Sequence, residues 1–359
     1  MSGPAAIHQM VAGFTVGDAI SNHARSLRKV FLDWGYESKV FARRSFIHAR
    51  LLGEALDAKF LDPAPTDLVV LHLSIGAEVN EIFRALNCRK VIIYHNITPA
   101  HFFEGVNSTL ARQLATGRKE AATLKGVADL NLAVSQYNAR ELTDWGFDNV
   151  DVLPLLLELD RLVGGKLDPA FLQLFDDGVT NICFIGRVAP NKCIEDLLHA
   201  FYYYHKFVNP NSRFLHVGGS SSKIYQNLLE SMRFDMDIDA FHFLGGVSEA
   251  RLRTVFQKSH MFLCMSEHEG FCIPLLEAMK AQLPVLAYAA AAIPETMDGA
   301  GVVVKEKNWG LIAQMMGRLT ELGPFRDAVI QKQNERLVRY ENLNLAEMMR
   351  EKFGDLLPK

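Results

Sequence analysis

The stretch that decides the fold is Met261-Phe-Leu-Cys264-Met-Ser266-Glu267-His268-Glu269-Gly270-Phe271-Cys272-Ile273-Pro274-Leu-Leu-Glu277-Ala-Met279. It opens with a short apolar run, which predicts a buried strand, and the polar residues and glycine that follow predict a turn. Pro274 is typical of the first turn of a helix, and the apolar residues after it continue that helix. A strand, a tight turn and a helix leave backbone N–H groups without partners at the carboxyl end of the strand. In an α/β sheet this is a place for an anion, especially a phosphate.

Two carboxylates accompany this turn. Glu269 lies in the turn itself and Glu277 lies one helical turn beyond Pro274, so both are expected to point toward the same crevice. An ionised carboxylate only accepts hydrogen bonds and is therefore suited to gripping hydroxyl groups, such as those of a ribose or a hexose.

The same stretch resembles a known signature. Glu269 and Glu277 have seven residues between them, with Gly270-Phe271 and Pro274 inside. This is similar to the E-x7-E signature of retaining glycosyltransferases of family 4, within the glycosyl transferases group 1. The resemblance implies the GT-B fold, an α/β architecture of two Rossmann-like parallel-sheet domains that face each other across a cleft. It further implies that Glu269 contacts the donor sugar and Glu277 the nucleotide ribose. The turn between them, Gly270, Phe271, Cys272 and Ile273, would bind the donor.

Length and charge are consistent with that architecture. A chain of 359 residues is long enough for two domains. Its net charge of −3 argues against a nucleic-acid binder, whose phosphate contacts need a basic excess. The first fifty residues nevertheless hold seven Lys or Arg and three acids. This local excess suggests peripheral contact with anionic lipid through the N-terminal domain, although a solvated helix face is the more common cause.

The cysteines indicate a reducing compartment. The five cysteines form no CxxC pair, and most lie in apolar runs where a thiol acts as a small hydrophobe. The first dozen residues lack the pattern of a signal peptide. No uncharged apolar run approaches the roughly 18 residues that a membrane span needs. We therefore expect a cytoplasmic protein. If its basic N-terminal surface contacts anionic lipid, the protein would associate with the inner face of the membrane.

Both halves of the chain alternate apolar runs with helical patterns, which predicts parallel sheets covered on both faces. The predicted strands are Ile7–Gly13, Ser38–Phe41, Asp67–Leu73, Lys90–Tyr94, Leu130–Val134, Val150–Leu153, Asn181–Ile185, Phe214–Val217, Phe241–Leu244, Met261–Met265, Val285–Tyr288 and Val302–Val304. The predicted helices are Asp18–Trp34, Ser108–Lys125, Arg140–Trp145, Cys193–Phe207, Ser221–Phe234, Ser248–Ser259, Pro274–Ala281, Trp309–Leu322, Phe325–Tyr340 and Leu345–Phe353.

These patterns divide the chain into four segments. Residues 1–155 are predicted to form one Rossmann-like domain, and the glycine- and aspartate-punctuated segment 156–180 a linker. Residues 181–340 are predicted to form a second Rossmann-like domain. The resemblance implies that the first domain is the acceptor side and that the second binds the nucleotide sugar. In residues 341–359 the resemblance implies a final helix that crosses back to the first domain.

A second strand-to-helix turn carries two cations. Gly186-Arg187-Val-Ala-Pro190-Asn191-Lys192 places a guanidinium and an ammonium five residues apart, where they can clamp a diphosphate from two sides. The segment resembles the family's Gly-Arg…Lys-Gly motif, in which both cations hold the donor's pyrophosphate. Cys193 stands where the family usually has glycine, and Cys272 replaces the second glycine of the family's Glu-Gly-Phe-Gly turn.

Two glycine turns belong to the same surface. One contains Gly218 and the other runs Gly245-Gly246-Val247. The resemblance implies that the nucleobase lies near Val247, held mainly by backbone groups, and that Gly218 contacts the donor. A plain strand-to-helix turn explains such glycines equally well, because glycine shows only that the chain bends or closely approaches something.

In the first half the main candidate is His95, which follows an apolar strand. By its position it resembles the family histidine that hydrogen-bonds the donor sugar. His72 and Ser74 are weaker candidates for acceptor contacts. The loop that contains Gly17 resembles the family's glycine loop after the first strand, although the usual double glycine is absent. The predicted catalytic set is therefore His95, Glu269, Arg187 and Lys192.

No metal is expected. Asp235-Met-Asp237-Ile-Asp239 looks like a DxD site that could hold Mg²⁺ or Mn²⁺. It precedes a predicted strand, on the wrong side for the crevice, so a solvated loop is the better interpretation. With Arg187 and Lys192 on the diphosphate, neither a metal nor another cofactor is needed.

These features together predict a retaining hexosyltransferase. It would move a hexose from a UDP-sugar, or from a GDP-sugar such as GDP-mannose, to a glycan or lipid-linked acceptor in polysaccharide synthesis. The preference for UDP comes from the resemblance alone. Two alternatives stay open, namely a nucleotide-sugar epimerase with the same fold and a non-catalytic nucleotide-sugar binding protein. A dehydrogenase is disfavoured, because no Gly-x-Gly-x-x-Gly follows the first strand.

Overall fold

The computed structural model describes residues 5–175, 177–220 and 222–359. Within these ranges the chain forms two compact units. The first contains residues 5–101, 109–157 and 343–359, and the second contains residues 102–108 and 158–342. The predicted final helix therefore belongs to the first unit.

The elements follow one another in a regular alternation of strand and helix. The strands are β1 Ile7–Val11, β2 Val40–Ala42, β3 Ala55–Asp57, β4 Leu68–Leu73, β5 Arg89–Tyr94, β6 Leu130–Ala133, β7 Val150–Val152, β8 Thr180–Ile185, β9 Ser212–Val217, β10 Phe241–Phe243, β11 Met261–Cys264, β12 Val285–Tyr288 and β13 Val302–Val304. The helices are α1 Ala19–Asp33, α2 Glu78–Ala85, α3 Ser108–Ala122, α4 Gln136–Asp144, α5 Pro169–Leu172, α6 Ile194–Phe207, α7 Lys223–Asp235, α8 Glu249–Lys258, α9 Ile273–Lys280, α10 Ile293–Met297, α11 Trp309–Thr320, α12 Pro324–Glu341 and α13 Leu345–Phe353.

The first unit is built on a parallel sheet of order β3-β2-β1-β4-β5-β6-β7. Its central strand β4 is an unbroken run of buried residues, as expected for a strand covered by helices on both faces. The chain leaves β1 in one direction along the sheet and later continues from β4 in the other. This topological switch point lies between the carboxyl ends of β1 and β4.

The second unit is built on a parallel sheet of order β10-β9-β8-β11-β12-β13. Its switch point lies between β8 and β11, so the loops after these two strands meet at one edge of the sheet. The predicted fold class of two Rossmann-like parallel sheets is thus confirmed.

Several features of the architecture were not predicted, including the short helices α5 and α10. The edge strand β3 and the helix α2 were missed, because a three-residue strand shows no periodicity and an eight-residue helix shows little. Residues 102–108 belong to the second unit, where the hydroxyl of Ser222 donates to the carbonyl of Val106. The predicted helix start at Ser221 lies outside the described residues, and α7 begins at Lys223.

The segment predicted as a linker is folded. It contains α5, whose first turn is capped by the carboxylate of Asp168, and that carboxylate also pairs with Arg251 of α8 at 2.9 Å. The rings of Phe171 and Phe175 meet edge to face, with centroids 5.2 Å apart. The boundary between the two units lies at residues 157/158, within the predicted linker, and the rest of that segment belongs to the second unit.

None of the helices among the described residues combines the length and the apolar character that crossing a bilayer requires.

Candidate functional site

At the switch point of the second unit, the loop after β8 and the loop after β11 are joined through Asn191. Its carbonyl accepts hydrogen bonds from the backbone N–H groups of Glu267 and His268, at 3.0 and 3.3 Å. Its side-chain amide donates to the carbonyl of His268 at 3.0 Å. Because Asn191 directly precedes Lys192, this single residue fixes the cationic loop against the acidic one.

The two loops bring opposite charges together. The Nζ of Lys192 lies 2.5 Å from a carboxylate oxygen of Glu269, and the two side chains are only 17% and 9% exposed. Burial alone would lower the pKa of Lys192, but the carboxylate of Glu269 outweighs burial and the pKa is raised. Lys192 therefore stays charged at neutral pH, and Glu269 neutralises it in the absence of a ligand.

Arg187 is the second cation of the same loop and is held differently. It follows β8 directly after Gly186, and its side chain is exposed. Among the described residues, no carboxylate forms an ion pair with its guanidinium. Its five N–H donors are thus available to an anion at the carboxyl edge of the sheet.

The acidic loop ends in a helix N-terminus without a side-chain cap. Cys272 precedes α9 in the left-handed conformation, with φ 68° and ψ 62°, and no side chain bonds the first N–H groups of the helix. The hydroxyl of Thr296 donates to the carbonyl of Phe271 and so anchors the turn from α10. The first backbone N–H groups of α9, near Ile273, can therefore receive an anion.

Cys193 has the same backbone conformation at the start of α6, with φ 48° and ψ 57°. A non-glycine residue in this region costs about 1 to 2 kcal/mol. Both cysteines thus occupy backbone positions that favour glycine, which is the residue the resembled motifs carry at these two points.

Glu277, predicted to bind a ribose, is buried and paired with Arg161. An oxygen of its carboxylate lies 2.6 Å from the guanidinium, and the Glu277 side chain is 7% exposed. Burial raises the pKa of Glu277, although Arg161 opposes the shift. Any hydroxyl that binds Glu277 must therefore share the carboxylate with Arg161.

Because the pKa of Glu277 is raised, the free energy of unfolding of the wild type and that of Glu277→Gln should differ by an amount that depends on pH. The folded protein binds a proton at Glu277 more readily than the unfolded chain does. The free energy of unfolding of the wild type, relative to the glutamine variant, should therefore fall as pH rises from the ordinary glutamate pKa to the raised value and stay level above it. Urea unfolding of both proteins over a pH series measures this difference. A difference that increases with pH would show that Arg161 outweighs burial.

The remaining predicted donor residues of the second unit are Gly218 and Val247. A Cβ at Gly218 would lie 1.9 Å from the carbonyl oxygen of Gly186, so only glycine fits there. Its N–H donates to the carbonyl of Gly245 at 2.9 Å. Gly218 thus has a packing role that explains the glycine by itself. Val247 is half-buried in the loop between β10 and α8.

The predicted residues of the first unit lie at its own switch point. Gly17, with φ 75°, is in the loop between β1 and α1. His95 directly follows β5, and its Nε2 lies 2.9 Å from Nδ1 of His72. The other ring nitrogen of His72 lies 2.9 Å from Oε1 of Gln9. His72 is buried, and its two ring nitrogens face His95 and Gln9. Its contact with an acceptor stays a prediction.

The DxD-like segment is a solvated loop, as predicted. Asp237 and Asp239 are 87% and 88% exposed and pair with Lys206 and Arg233. They precede β10 and therefore lie at the opposite edge of the sheet from the two loops that Asn191 joins.

Four residues that organise these sites were not predicted, namely Asn191, Arg161, Thr296 and Gln9. Each acts through long-range hydrogen bonds or an ion pair, and such contacts leave no periodic signal in the sequence. Asn191 alone had a local signal, because it stands between a proline and the predicted phosphate-binding Lys192.

Residues 171–336 match the family model of glycosyl transferases group 1. The second unit is a glycosyl transferases group 1 domain. The matched residues include both loops of the switch point and the whole six-stranded sheet. A phosphatidylinositol N-acetylglucosaminyltransferase component from Arabidopsis thaliana is 37% identical over 98 residues, which cover 27% of this chain and 21% of that protein. The chain thus spans about a fifth of the length of that relative.

The fold of the whole chain, including the group 1 domain, is shared with solved structures. Sucrose-phosphate synthase from Thermosynechococcus elongatus superimposes with a TM-score of 0.75 at 16% identity, covering 98% of this chain and 99% of that one. Anabaena HepE in complex with UDP and glucose superimposes with a TM-score of 0.74 at 14% identity, covering 97% and 99%. Identities this low show the fold alone. The chain has the predicted GT-B fold.

Proposed function

We propose that this protein is a retaining hexosyltransferase that uses a nucleotide diphosphate sugar. The observation that carries the proposal is the meeting of the Arg187 and Lys192 loop with the Glu269 loop at the switch point of a group 1 domain. Open α/β sheets bind ligands at such points.

The diphosphate would be held by three kinds of positive group. The guanidinium of Arg187 offers a fork of donors, Lys192 a compact ammonium, and α9 the free N–H groups of its first turn. As the bond from the anomeric carbon to the diphosphate breaks, negative charge grows on the departing oxygen. Groups already fixed around that oxygen stabilise the charge without having to reorganise. In this proposal no metal is required at the diphosphate.

The salt bridge between Lys192 and Glu269 has a place in this mechanism. With the donor bound, the ammonium of Lys192 lies between a carboxylate and a phosphate. Glu269 can then turn lone pairs to the hydroxyls of the hexose while still orienting Lys192. Glu277 would hold the ribose alongside Arg161. The role of His95 at the sugar stays a prediction.

Retention is proposed to follow from departure and attack on the same face of the sugar. The acceptor hydroxyl would form its bond to the anomeric carbon as the bond to the diphosphate breaks. Its proton would pass to the leaving phosphate oxygen, so that atoms and charge balance without a protein nucleophile.

The proposal is tested first by binding. UDP-sugars and GDP-sugars are added singly to the full chain, and the shift of the thermal unfolding midpoint is measured. Stabilisation by one nucleotide class is expected, because a ligand of the folded state raises its stability by mass action. A protein that no nucleotide sugar stabilises would contradict the donor assignment.

The donor so identified is then followed by nuclear magnetic resonance with and without candidate acceptors. A transferase gives a new glycoside with the donor's anomeric configuration. An epimerase would convert the donor alone, and a binding protein would do neither. A product with inverted anomeric configuration would contradict the retaining mechanism but not the transferase activity.

The acceptor is proposed to be a glycan or a lipid-linked sugar. The Arabidopsis relative is named for a phosphatidylinositol acceptor, which supports the lipid-linked class. The basic excess in the first fifty residues supports contact with an anionic membrane from the cytoplasmic side. Co-sedimentation with anionic but not neutral vesicles would test this contact.

A further inference from the structure

Three histidine rings cluster at the switch point of the first unit. His23 lies on α1, His72 near the end of β4, and His95 directly after β5. Their ring centroids are 5.1 to 5.5 Å apart. One ring nitrogen from each lies within 4.8 Å of those of the other two.

The hydrogen bonds of Gln9 fix the protonation of two of the rings. Its side-chain N–H donates to the carbonyl of Ala24 at 3.0 Å, so its oxygen faces His72 and accepts from Nε2–H. The Nδ1 of neutral His72 is then a lone pair, which accepts from Nε2–H of His95. Burial lowers the pKa of both rings well below the ordinary value, so the rings are neutral at pH 7.

The ring of His23, in contrast, is not held by hydrogen bonds. It is 2% exposed, and both of its ring nitrogens lack a hydrogen-bond partner. Burial lowers the pKa of His23 to about 3, so the ring is neutral and carries an available lone pair. A buried polar group without a partner destabilises the folded state. The position therefore calls for a ligand that the protein itself does not supply.

We propose that His23, His72 and His95 form a binding site for a divalent transition metal of the Zn²⁺ type. Zinc binds neutral imidazole nitrogens at about 2.0 to 2.1 Å, so tetrahedral ligand atoms lie about 3.3 Å from each other. The 2.9 Å between His72 Nδ1 and His95 Nε2 needs to open by only a few tenths of an ångström. Three histidines and an open fourth position are an established zinc arrangement.

Gln9 supplies the outer support that metal-binding histidines usually have. It accepts the Nε2–H of His72 and is itself held by Ala24, which leaves Nδ1 aimed at the other two rings. The metal would displace the proton between His72 and His95. His95 would then carry its proton on Nδ1, and its Nε2 would be occupied.

The site is separate from the other groups of metal-binding side chains among the described residues. Cys264, Glu269 and Cys272 form one such group in the second unit, but Lys192 already supplies a positive charge there. Cys193, Asp196 and Glu267 form another, where the ammonium of Lys307 contacts both carboxylates. Neither group contains a buried nitrogen or oxygen ligand atom that lacks a hydrogen-bond partner, as His23 does.

The test is zinc binding by the untagged full chain. The protein is equilibrated with Zn²⁺, dialysed and analysed for metal, and the bound zinc is examined by X-ray absorption. We expect one zinc per chain with a nitrogen shell near about 2.0 Å and no sulfur shell near about 2.3 Å. His23→Phe should keep the ring packing but bind zinc at least about tenfold more weakly. Gln9→Leu keeps all three histidines and should weaken binding by about 10- to 100-fold.

His216→Phe is the matched control. His216 is likewise buried with both ring nitrogens unpartnered, but it belongs to none of the metal-ligating groups. This variant and the Cys264→Ser/Cys272→Ser double variant should retain zinc. Circular dichroism verifies that each variant is folded.

A wild-type protein that retains no zinc, a sulfur shell, or unchanged binding in folded His23→Phe would overturn the proposal. None of these readouts depends on sugar transfer, so the metal site and the proposed function can fail independently.

Discussion

Replacing Arg187 by alanine is expected to lower kcat/KM for hexosyl transfer by about 100-fold or more. Removing one preorganised donor from a developing negative charge typically costs a factor of about 10² to 10³ in rate. The side chain is exposed and the structure gives it no carboxylate partner among the described residues. The free energy of unfolding should therefore change by no more than about 0.5 kcal/mol. Steady-state kinetics and urea unfolding of the same preparation measure the two quantities.

Arg318→Ala serves as the matched control for this variant. Arg318 is also an exposed arginine of the second unit, and its one ion pair, with Glu321, is long at 3.7 Å. It should leave both kinetics and stability near the wild-type values. Arg187→Lys keeps the charge but loses the planar fork, so its rate should lie between those of the wild type and the alanine variant. A wild-type kcat/KM in Arg187→Ala would show that Arg187 does not bind the diphosphate.

The position of this site could be predicted from the sequence because it depends on local chain geometry. An apolar strand, a turn with charged residues and a helix start are each visible in a short window, at 181–194 and at 261–279. Parallel topology then brings such turns to one edge of the sheet. The structure places both turns at the switch point and joins them through Asn191.

Two cysteines stand where the resembled motifs have glycine, and they show that a short stretch of sequence can predict the backbone conformation of a turn. Cys193 and Cys272 differ from the resembled motifs, yet both adopt the left-handed backbone that a glycine would adopt. The backbone requirement is thus kept although the residue type is not. Neither replacement displaces its turn, since Lys192 and Glu269 still meet.

The pairing of side chains could not be predicted in the same way. Lys192 and Glu269 are 77 residues apart, and Arg161 and Glu277 are 116 residues apart. A sequence read in short windows assigns each such group to solvent or to a ligand, because its protein partner lies elsewhere in the chain. For this reason Arg161 was missed as the partner of Glu277.

The protein partners of buried polar residues were missed for a related reason. His72 follows an apolar run, and its place near the end of a strand indicates a ligand contact. In the structure it is buried and bonded to Gln9 and His95, neither of which is a sequence neighbour.

Glu269→Gln is expected to reduce both turnover and stability, which by itself would not separate a binding role from a structural one. The substitution keeps the shape of the side chain but leaves the buried ammonium of Lys192 without its counter-charge. Breaking a buried ion pair in this way costs about 3 to 5 kcal/mol. Turnover should fall by about 100-fold or more, because the sugar loses its charged acceptor and Lys192 loses its orientation.

The double variant Lys192→Met/Glu269→Gln separates the two roles. It contains no unpaired buried charge, so it should regain most of the stability that Glu269→Gln loses. Turnover should stay as low as in the single variant or fall further, because the double variant also lacks the ammonium that neutralises the diphosphate. Urea unfolding and kinetics of the wild type, both single variants and the double variant complete the cycle.

The pair formed by Asp196 and Lys307 provides the comparison that decides between the roles. Its side chains are 14% and 17% exposed, close to the 9% and 17% of Glu269 and Lys192, and it lies in the same unit. Asp196→Asn should lower stability in the same direction, by less than Glu269→Gln because Lys307 keeps its contact with Glu267, while leaving turnover near the wild-type value. If this pair reduced transfer as strongly, or if the Lys192→Met/Glu269→Gln variant regained transfer along with its stability, Lys192 and Glu269 would be a structural ion pair. The donor would then have to be bound elsewhere in the group 1 domain.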